Sequence, residues 1–496
     1  MPYVGLDVGT SGCKASVVDH AGTILRYAHR EYAPVSPKPG YMEMDARIVW
    51  QSALAVLRDV AADDITALSI ASFGEAVVLL DESDNVLSNS IYYSDIRGSE
   101  EVRDILSAMD PAQAQAITGT AANPMYSANK LLWIKKHDAA LFKQARRFML
   151  FGDYIGFMLT GERVIDYSLA SRTMLFDIRD FCWSQVLSNA LDLPVDGFSR
   201  PVRTGTPMGV ITRRMAQQTG LNKNLLVVTG GHDQALAALG GGALTRGDSV
   251  DGMGSSECVS LVIEKGDITP KMAAYNFCCE PYIFENTYLT LAFNASSGTS
   301  IRWYRDCFEG CRAIAAKEQN KSIYRIMDED APPAPTNLFF LPHVSGSGTP
   351  YLDSHMGGAL LGLTTSTGKP DIYKAVLEGI CYEMQYNVEL LNECGLTLDA
   401  ITAVGGGARS DTLMQIKADV MAREVGTLQT TETGTLALSL LCAYAMGDIP
   451  DLKAAVRLAA RPGRAYTPNE KNAAIYRERM HMYRRMYPAL KNIFTK

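Results

Sequence analysis

The chain has 496 residues, a formal net charge of -7 and a composition typical of a globular protein, with 47% hydrophobic and 20% charged residues. This length exceeds one ordinary hydrophobic core, so we expect at least two domains. The negative charge argues against nucleic acid or an anionic membrane as the main partner. Ten cysteines without a C-x-x-C pair, and no signal peptide, predict reduced thiols and a cytoplasmic protein.

Residues 3–19 form a pattern of two strands joined by a turn that is rich in glycine and small hydroxyl side chains. Such a turn exposes backbone amides to an anion, and glycine lets a phosphate approach the backbone closely. Asp7 lies at the mouth of the turn, where a carboxylate could hold a hydrated Mg²⁺ ion. The pattern predicts a phosphate site, with an ordinary hairpin turn as the alternative.

Three charged residues lie close to the ends of apolar strands in the next segment. Residues 68–71 and 77–80 are strand-like, Glu75 lies between them, and Asp95 and Arg97 follow. These side chains could hold the hydroxyl groups of a polyol by hydrogen bonds, as in a sugar site. The alternative is an internal salt bridge between Asp95 and Arg97, with Glu75 in solvent.

A strand that runs into two glycines precedes the strongest candidate for catalysis. Residues 225–228 are an apolar run, Gly230 and Gly231 end it, and an alanine-rich helical pattern begins after Gln234. Asp233 is therefore expected at a helix N-terminus beside a cleft. A carboxylate there can accept a proton from an alcohol, while nearby amides hold phosphate. The alternative is that Asp233 only caps the helix.

Residues 248–260 repeat the strand, small-residue turn and strand of the first hairpin. A duplicated fold would place the two hairpins across a cleft, each offering amides and hydroxyls to phosphate. A further glycine turn follows the strand pattern at residues 401–404. Gly405 and Gly406 would let a flat ring such as adenine lie against bare backbone. Ordinary turns and close packing of strand and helix, without a ligand, are the alternatives.

Two patterns in the last third of the chain concern structure alone. Three prolines between residues 328 and 337 indicate a flexible loop. From residue 474 onward, large apolar and aromatic side chains recur at helical spacing: Tyr476, Met480, Tyr483 and Tyr487. This stripe predicts a helix face that is packed against the core.

In their order along the chain, these motifs resemble those of the FGGY family of carbohydrate kinases, within the hexokinase–actin superfamily. The family's phosphate, adenosine and catalytic-base motifs and both of its signature segments have counterparts here: residues 7–11, 405–407, 230–234, 125–137 and 358–378. The resemblance implies an α/β fold in which two ribonuclease-H-like (actin-like ATPase) domains flank a central cleft. It implies a sugar-binding first domain over residues 1–245, an ATP-binding second domain over 246–440, and helices over 441–496 that pack on the domains.

The resemblance also implies ATP- and Mg²⁺-dependent phosphorylation of a primary hydroxyl of a small sugar, for which we expect a pentulose such as xylulose or ribulose. Asp233 would be the general base that accepts the proton of the attacking hydroxyl, and Asp7 would position Mg²⁺. The sugar would contact Glu75, Asp95, Arg97, Asp233 and Gln234. ATP and the transferring phosphate would contact Thr10, Ser11, Gly254, Ser255, Gly298, Gly405, Gly406 and Ser410. A homodimer is one expected assembly.

The sequence departs from the family pattern where the substrate is expected. Residues 73–76 read Phe-Gly-Glu-Ala, where xylulokinases commonly have Gln-Met-His-Gly. Glu75 and Gln234 match glycerol kinases, but Gly74 and Met125 stand where those enzymes have arginine and tyrosine. Glycerol, a tetritol, fuculose and gluconate are therefore alternative substrates. A nucleotide-binding regulator and an actin-like polymerising ATPase are alternative functions.

Overall fold

The computed structural model describes residues 2–19 and 22–494. The first part of the chain contains these strands: β1 (Tyr3–Val8), β2 (Gly12–Val18), β3 (Ile24–Glu31), β4 (Glu43–Met44), β5 (Ala67–Ser72), β6 (Val77–Leu80), β7 (Ser90–Ile91), β8 (Arg147–Leu150), β9 (Val164–Asp166), β10 (Phe176–Asp177), β11 (Cys182–Trp183), β12 (Arg200–Val202), β13 (Pro207–Val210) and β14 (Leu226–His232). Its helices are α1 (Ala46–Val60), α2 (Val102–Ala108), α3 (Pro111–Thr118), α4 (Ser127–His137), α5 (Ala139–Gln144), α6 (Phe151–Thr160), α7 (Tyr167–Ser171), α8 (Gln185–Leu191), α9 (Arg213–Thr219) and α10 (Asp233–Gly240).

The second part of the chain continues with these strands: β15 (Asp248–Met253), β16 (Glu257–Glu264), β17 (Cys278–Pro281), β18 (Thr287–Asn294), β19 (Phe339–Leu341), β20 (Ala359–Leu361), β21 (Ala400–Val404), β22 (Val425–Leu428) and β23 (Pro462–Tyr466). Its helices are α11 (Pro270–Ala274), α12 (Ser297–Phe308), α13 (Gly310–Glu318), α14 (Ile323–Asp330), α15 (Lys369–Glu393), α16 (Asp411–Met421), α17 (Thr433–Ala445), α18 (Leu452–Ala459), α19 (Glu470–Tyr483) and α20 (Met486–Phe494). Of the described helices, none has both the length and the apolar character needed to cross a bilayer.

The main sheet of the first domain has the strand order β13-β14-β5-β1-β2-β3. Strands β1, β5 and β14 are parallel neighbours, while β2 and β3 extend the sheet by antiparallel hairpins. Every residue of β5 is buried, as expected of a parallel strand covered on both faces. The carboxyl ends of these three strands lie in register, with Asp7 beside Ala71 and Ala71 beside Gly231. Residues that end these strands are therefore brought together.

The main sheet of the second domain repeats this plan, in the order β17-β18-β16-β15-β21-β22-β23. It also contains a hairpin, β15–β16, whose first strand runs parallel to β21, as β1 runs parallel to β5. The duplication predicted from the two glycine-rich hairpins is thus present in the fold.

The predicted domain limits stay a prediction. The predicted limit at residue 440 falls inside α17, and the second sheet continues beyond it to β23. Helix α17 packs against β1, β5 and α10 of the first domain. The outermost residues of the predicted ranges, Met1, Thr495 and Lys496, lie outside the described residues.

The two structural predictions for the last third have different outcomes. Tyr476, Met480 and Tyr483 of α19 are 1–3% exposed, so the predicted core-facing stripe is confirmed for these three residues. Tyr487, the fourth residue of the predicted stripe, lies in the next helix, α20, where it is half-buried against the core. The predicted flexible loop was wrong at its start, because Asp328 belongs to α14. Its carboxylate accepts hydrogen bonds from Tyr373 Oη and Ser410 Oγ, both at 2.7 Å.

A buried ion cluster joins the segments of the second domain that carry the glycine turns. Lys417 of α16 is fully buried and contacts Asp251 of β15 and Glu257 of β16. Ser297, at the start of α12, donates to Glu257 at 2.7 Å. One lysine thus contacts two carboxylates, and the cluster ties together two strands and two helices.

We expect Lys417→Met to destabilise the protein by about 3–5 kcal/mol, since it leaves two buried carboxylates without their cation. Lys471→Met, which removes an exposed lysine of α19, is the matched control and should change stability little. Chemical denaturation of both variants measures the difference. Equal stability of the two variants would show that the cluster contributes nothing to folding.

Candidate active site

Three carboxylates lie where the parallel strands of the first sheet end. Asp7 is in β1, Glu75 follows β5, and Asp233 follows β14 as the first residue of α10. His232, not Asp233, occupies the N-cap position of α10, and its side chain makes no capping hydrogen bond. The capping alternative therefore does not account for Asp233.

The carboxylate of Asp233 remains accessible in crowded, acidic surroundings. Its side chain is 28% exposed. Burial raises its pKa to about 6; the neighbouring His232 acts against this shift, whereas Asp7 and Glu75 add to it. A carboxylate with such a pKa is ionised at neutral pH and still basic enough to accept a proton.

Asp7 has a carboxylate oxygen that is free to bind a cation. Lys14 Nζ lies 3.4 Å from Asp7 Oδ2 and 2.9 Å from Glu432 Oε2. Asp7 Oδ1 is buried, and no hydrogen-bond partner for it exists among the described residues. The described residues contain no cluster of three metal-binding side chains. A single carboxylate nevertheless fits Mg²⁺, because this ion usually binds one or two carboxylates together with water and phosphate.

Glu75 is buried rather than solvated. It is 4% exposed, and its backbone is left-handed, with φ 67°. Arg172, which follows α7, donates from Nε to Glu75 Oε1 at 2.7 Å. A Cβ atom on Gly74 would lie 2.8 Å from Arg172 Cγ, so the arginine fills the space that a side chain at position 74 would need. Glu75 and Arg172 thus form one buried ion pair.

Asp95 and Arg97 form the internal salt bridge that was the alternative to sugar binding. Asp95 Oδ1 accepts from the backbone and Nε of Arg97 at 2.7 and 2.9 Å. Asp95 Oδ2 accepts from Arg97 Nη2 at 2.6 Å and from the backbone N–H of Met42 at 2.5 Å. These bonds fill the acceptor positions of the carboxylate. The geometry favours a structural role for this pair, and its contact with a sugar stays a prediction.

Glu280, a residue of the second domain, joins Asp7, Glu75 and Asp233 in what we call the acidic cluster. The Glu280 carboxylate, in β17, lies 3.0–3.1 Å from His232 Nδ1 and 3.7 Å from Arg172 Nη1. His232 Nε2 in turn lies 3.5 Å from Asp233 Oδ1. Arg172 and Glu280 were not predicted as site residues, since neither lies in a glycine motif or in a segment with a local periodicity.

The second domain contains a cavity of about 950 Å³. It is lined by five residues that were predicted to bind ATP: Gly254, Ser255, Gly298, Gly406 and Ser410. Asp328, Tyr373 and Arg302 also line it, and no sequence motif marked them as site residues. Residues from distant parts of the chain thus share a single cavity, large enough for a nucleotide.

The wall of this cavity is built where the β15–β16 turn meets α12. Gly298 N–H donates to the Gly254 carbonyl at 3.2 Å, and Thr299 N–H donates to the Ser255 carbonyl at 3.0 Å. Arg302 Nη2 donates to Ser255 Oγ at 3.0 Å. An arginine beside the start of a helix forms a suitable environment for an anion.

Gly405 begins a second glycine turn, which follows β21 and lies against Met253 of β15. Its φ is 89°, and a Cβ atom there would lie 2.8 Å from the Met253 carbonyl oxygen. Both the positive φ and the lack of space for a Cβ atom require glycine at this position. Because glycine has no side chain, the turn can approach β15 closely.

The acidic cluster and the nucleotide cavity belong to neighbouring segments. Gln234 Oε1, beside Asp233, lies 3.7 Å from the position of a Cβ atom on Gly252. Gly252 precedes the turn of Gly254 and Ser255. In the first domain, Thr10 and Ser11 occupy the corresponding β1–β2 turn, where Ser11 is exposed. Their contact with a phosphate stays a prediction.

The comparisons with known proteins agree with this architecture. The N-terminal domain of the FGGY family of carbohydrate kinases matches residues 2–240, and its C-terminal domain matches residues 252–446. The xylulose kinase of Bacillus subtilis is 27% identical over 511 aligned positions, covering 100% of this chain and 98% of the relative. The xylulose kinase of Escherichia coli is 28% identical, covering 98% of this chain and 99% of the relative.

Two solved structures from Lactobacillus acidophilus are also similar. Ligand-bound xylulose kinase superposes with a TM-score of 0.90 at 25% identity, covering 99% of both chains. Gluconate kinase superposes with a TM-score of 0.89, also at 25% identity and 99% coverage of both chains. The fold is therefore the two-domain actin-like ATPase fold, and the chain belongs to the FGGY family of carbohydrate kinases.

Proposed function

We propose that this protein transfers the γ-phosphoryl group of ATP to a primary hydroxyl of a neutral ketose, with a pentulose such as xylulose or ribulose as the expected substrate. The observation that carries the proposal is the position of Asp233. Its partly exposed carboxylate stands at the end of β14, and the next residue reaches the second domain near the nucleotide cavity. In the proposed reaction Asp233 accepts the proton of the attacking hydroxyl as the oxygen–phosphorus bond forms.

The remaining residues align the reactants. ATP would occupy the cavity that is lined by Gly254, Ser255, Gly406 and Ser410, with Gly405 in the adjoining turn. Asp7, whose buried Oδ1 has no hydrogen-bond partner within residues 2–19 and 22–494, would hold Mg²⁺ directly or through water. The ion neutralises charge on the phosphates when it is bound. Alignment and charge neutralisation supply most of the catalysis in phosphoryl transfer.

The charges beside Asp233 favour a neutral substrate over a sugar acid. The guanidinium of Arg172 could bind a substrate carboxylate, but it already contacts Glu75 and Glu280. Glu75, Asp233 and Glu280 together carry three negative charges. The two cations among them, Arg172 and His232, leave this group of five residues negative. A gluconate carboxylate would be repelled, whereas hydroxyl groups can donate to the buried carboxylate of Glu75.

A panel of substrates with ATP and Mg²⁺ tests the proposal: xylulose, ribulose, fuculose, glycerol, erythritol and gluconate. We expect the highest kcat/KM with a pentulose and little turnover of gluconate. Asp233→Asn should lower kcat by about 10²- to 10⁴-fold, because the amide cannot accept the proton, and leave ATP affinity nearly unchanged. Release of ADP that depends on the sugar is the measurement. Substantial turnover by this variant would refute the role of Asp233, and no turnover by wild type of any sugar would favour a regulator.

The activity should depend on pH through Asp233. Because its pKa is raised to about 6, its basic form is lost as the pH falls through that value. We expect kcat/KM for the sugar to be level at neutral pH and to fall by about tenfold per pH unit below about 6. Measurements at constant ionic strength check this, with circular dichroism to confirm that the protein stays folded. A flat profile down to about pH 5 would contradict the assignment.

The glycine turn at 405 should control ATP binding. Gly405→Ala places a methyl group against Met253 in a backbone conformation that alanine tolerates poorly, so we expect the KM for ATP to rise by about tenfold. Gly395→Ala is the matched control, since Gly395 also has a positive φ, of 83°, but nothing lies within 4 Å of its Cβ position. An equal ATP KM in both variants would exclude Gly405 from the nucleotide site.

A further inference from the structure

Glu280 belongs to the second domain, but its carboxylate contacts charged side chains of the first domain. It lies in β17, the edge strand of the second sheet, where it pairs with Leu289 of β18. The residue is 1% exposed. Its contacts with His232 and Arg172 both cross the domain interface.

Each of these two partners of Glu280 also contacts a carboxylate of the first domain, which is either Asp233 or Glu75. His232 lies between Glu280 and Asp233, with Nδ1 toward the former and Nε2 toward the latter. Arg172 lies between Glu280 and Glu75. Negative and positive groups thus alternate through five residues, and Glu280 is the central one.

We propose that Glu280 is a positioning residue that orients His232 and Arg172, and through them the base Asp233 and its neighbour Glu75. The inference rests on the proposed function of Asp233. In this proposal a residue of the second domain helps to orient two carboxylates of the first domain, those of Asp233 and Glu75. Glu280 itself needs no contact with the sugar or with ATP.

The backbone around Glu280 fixes its position relative to the first domain. The neighbouring residue, Cys279, donates its backbone N–H to the Gly119 carbonyl at 2.8 Å, across the interface. Tyr288 of the adjacent strand donates from Oη to the Ile178 carbonyl at 2.9 Å. The edge of the second sheet is therefore held against the first domain by bonds independent of the charge cluster.

The charge of Glu280 determines the state of the imidazole. Burial lowers the pKa of His232 and Arg172 adds to that effect, but the charge and hydrogen bond of Glu280, together with Asp233, raise the pKa to about 9. The ring is then an imidazolium at neutral pH, with a proton on each nitrogen. One proton binds Glu280, and the other faces Asp233 and stabilises its ionised form.

Asp233 is surrounded mainly by groups that oppose its ionisation. Asp7 from β1 and Glu75 after β5 raise its pKa. The phenols of Tyr92 and Tyr93, which follow β7, also interact with it. His232 is therefore the cation on which its ionisation depends. Without the charge of Glu280, the imidazole becomes neutral at neutral pH and Asp233 retains its proton to higher pH.

The test is Glu280→Gln, which keeps the shape and the acceptor oxygen but removes the charge. The matched control is Glu285→Gln, an exposed glutamate in the turn that follows β17. We expect kcat/KM for the sugar to fall by about 10- to 100-fold, with the acid limb of its pH profile moved to higher pH. The KM for ATP should stay within about twofold of wild type, because Glu280 lies outside the nucleotide cavity.

A readout that needs no turnover separates this inference from the proposed function. NMR titration of His232, assigned with the His232→Gln variant, should give a pKa near 9 in wild type and a value well below it in Glu280→Gln. An unchanged imidazole titration, or an unchanged pH profile in an active protein, would overturn the role of Glu280. An inactive wild type that still shows the titration shift would instead refute the sugar kinase assignment.

A double-mutant cycle covers the case in which Glu280→Gln weakens folding. The cycle compares Glu280→Gln, His232→Gln and the variant that carries both substitutions. If Glu280 acts through His232, the loss of kcat/KM in the double variant should be much smaller than the losses of the two single variants combined. Additive losses, with parallel decreases in melting temperature and ATP affinity, would indicate a purely structural residue.

Discussion

The mutual repulsion of three carboxylates is the constraint around which the site is built. Strands β1, β5 and β14 are parallel neighbours, so Asp7, Glu75 and Asp233 meet at one edge of the sheet. Each carboxylate has a cationic neighbour: Lys14, Arg172 and His232, respectively. Burial, together with the repulsion that remains, raises the pKa of Asp233 and keeps it more basic than an ordinary aspartate, as a proton acceptor requires.

The second domain uses the same strand plan for another purpose. The ends of β15 and β21 carry glycine and serine instead of acids, so the corresponding edge can accept an anionic nucleotide. The acids of that hairpin, Asp251 and Glu257, are buried with Lys417, away from the cavity surface. Related sheets thus serve sugar and nucleotide through the residues that end their strands, which agrees with the general use of strand ends in α/β proteins.

What could be predicted from the sequence was local. Asp233 and Gly405 stand at junctions between strand, glycine turn and helix, and such junctions are encoded by neighbouring residues. Glu75 was predicted as a site residue, but its partner Arg172 is 97 residues away in the sequence. No sequence periodicity relates the two positions, so the pair could not be predicted. Glu280 depends on the contact between two sheets, which a single sequence does not contain. The Asp95–Arg97 pair was predictable as an alternative because its members are two residues apart.

Helix α17 has a consequence for the independence of the two domains. It comes late in the chain, between β22 and β23 of the second sheet, yet it covers β1 and β5 of the first sheet and packs along α10. A nascent chain therefore lacks one covering layer of its first sheet until nearly 200 later residues have been synthesised. The apolar face beneath α17 would stay open to chaperones or to other chains during that time, and a fragment ending at residue 245 would retain that defect.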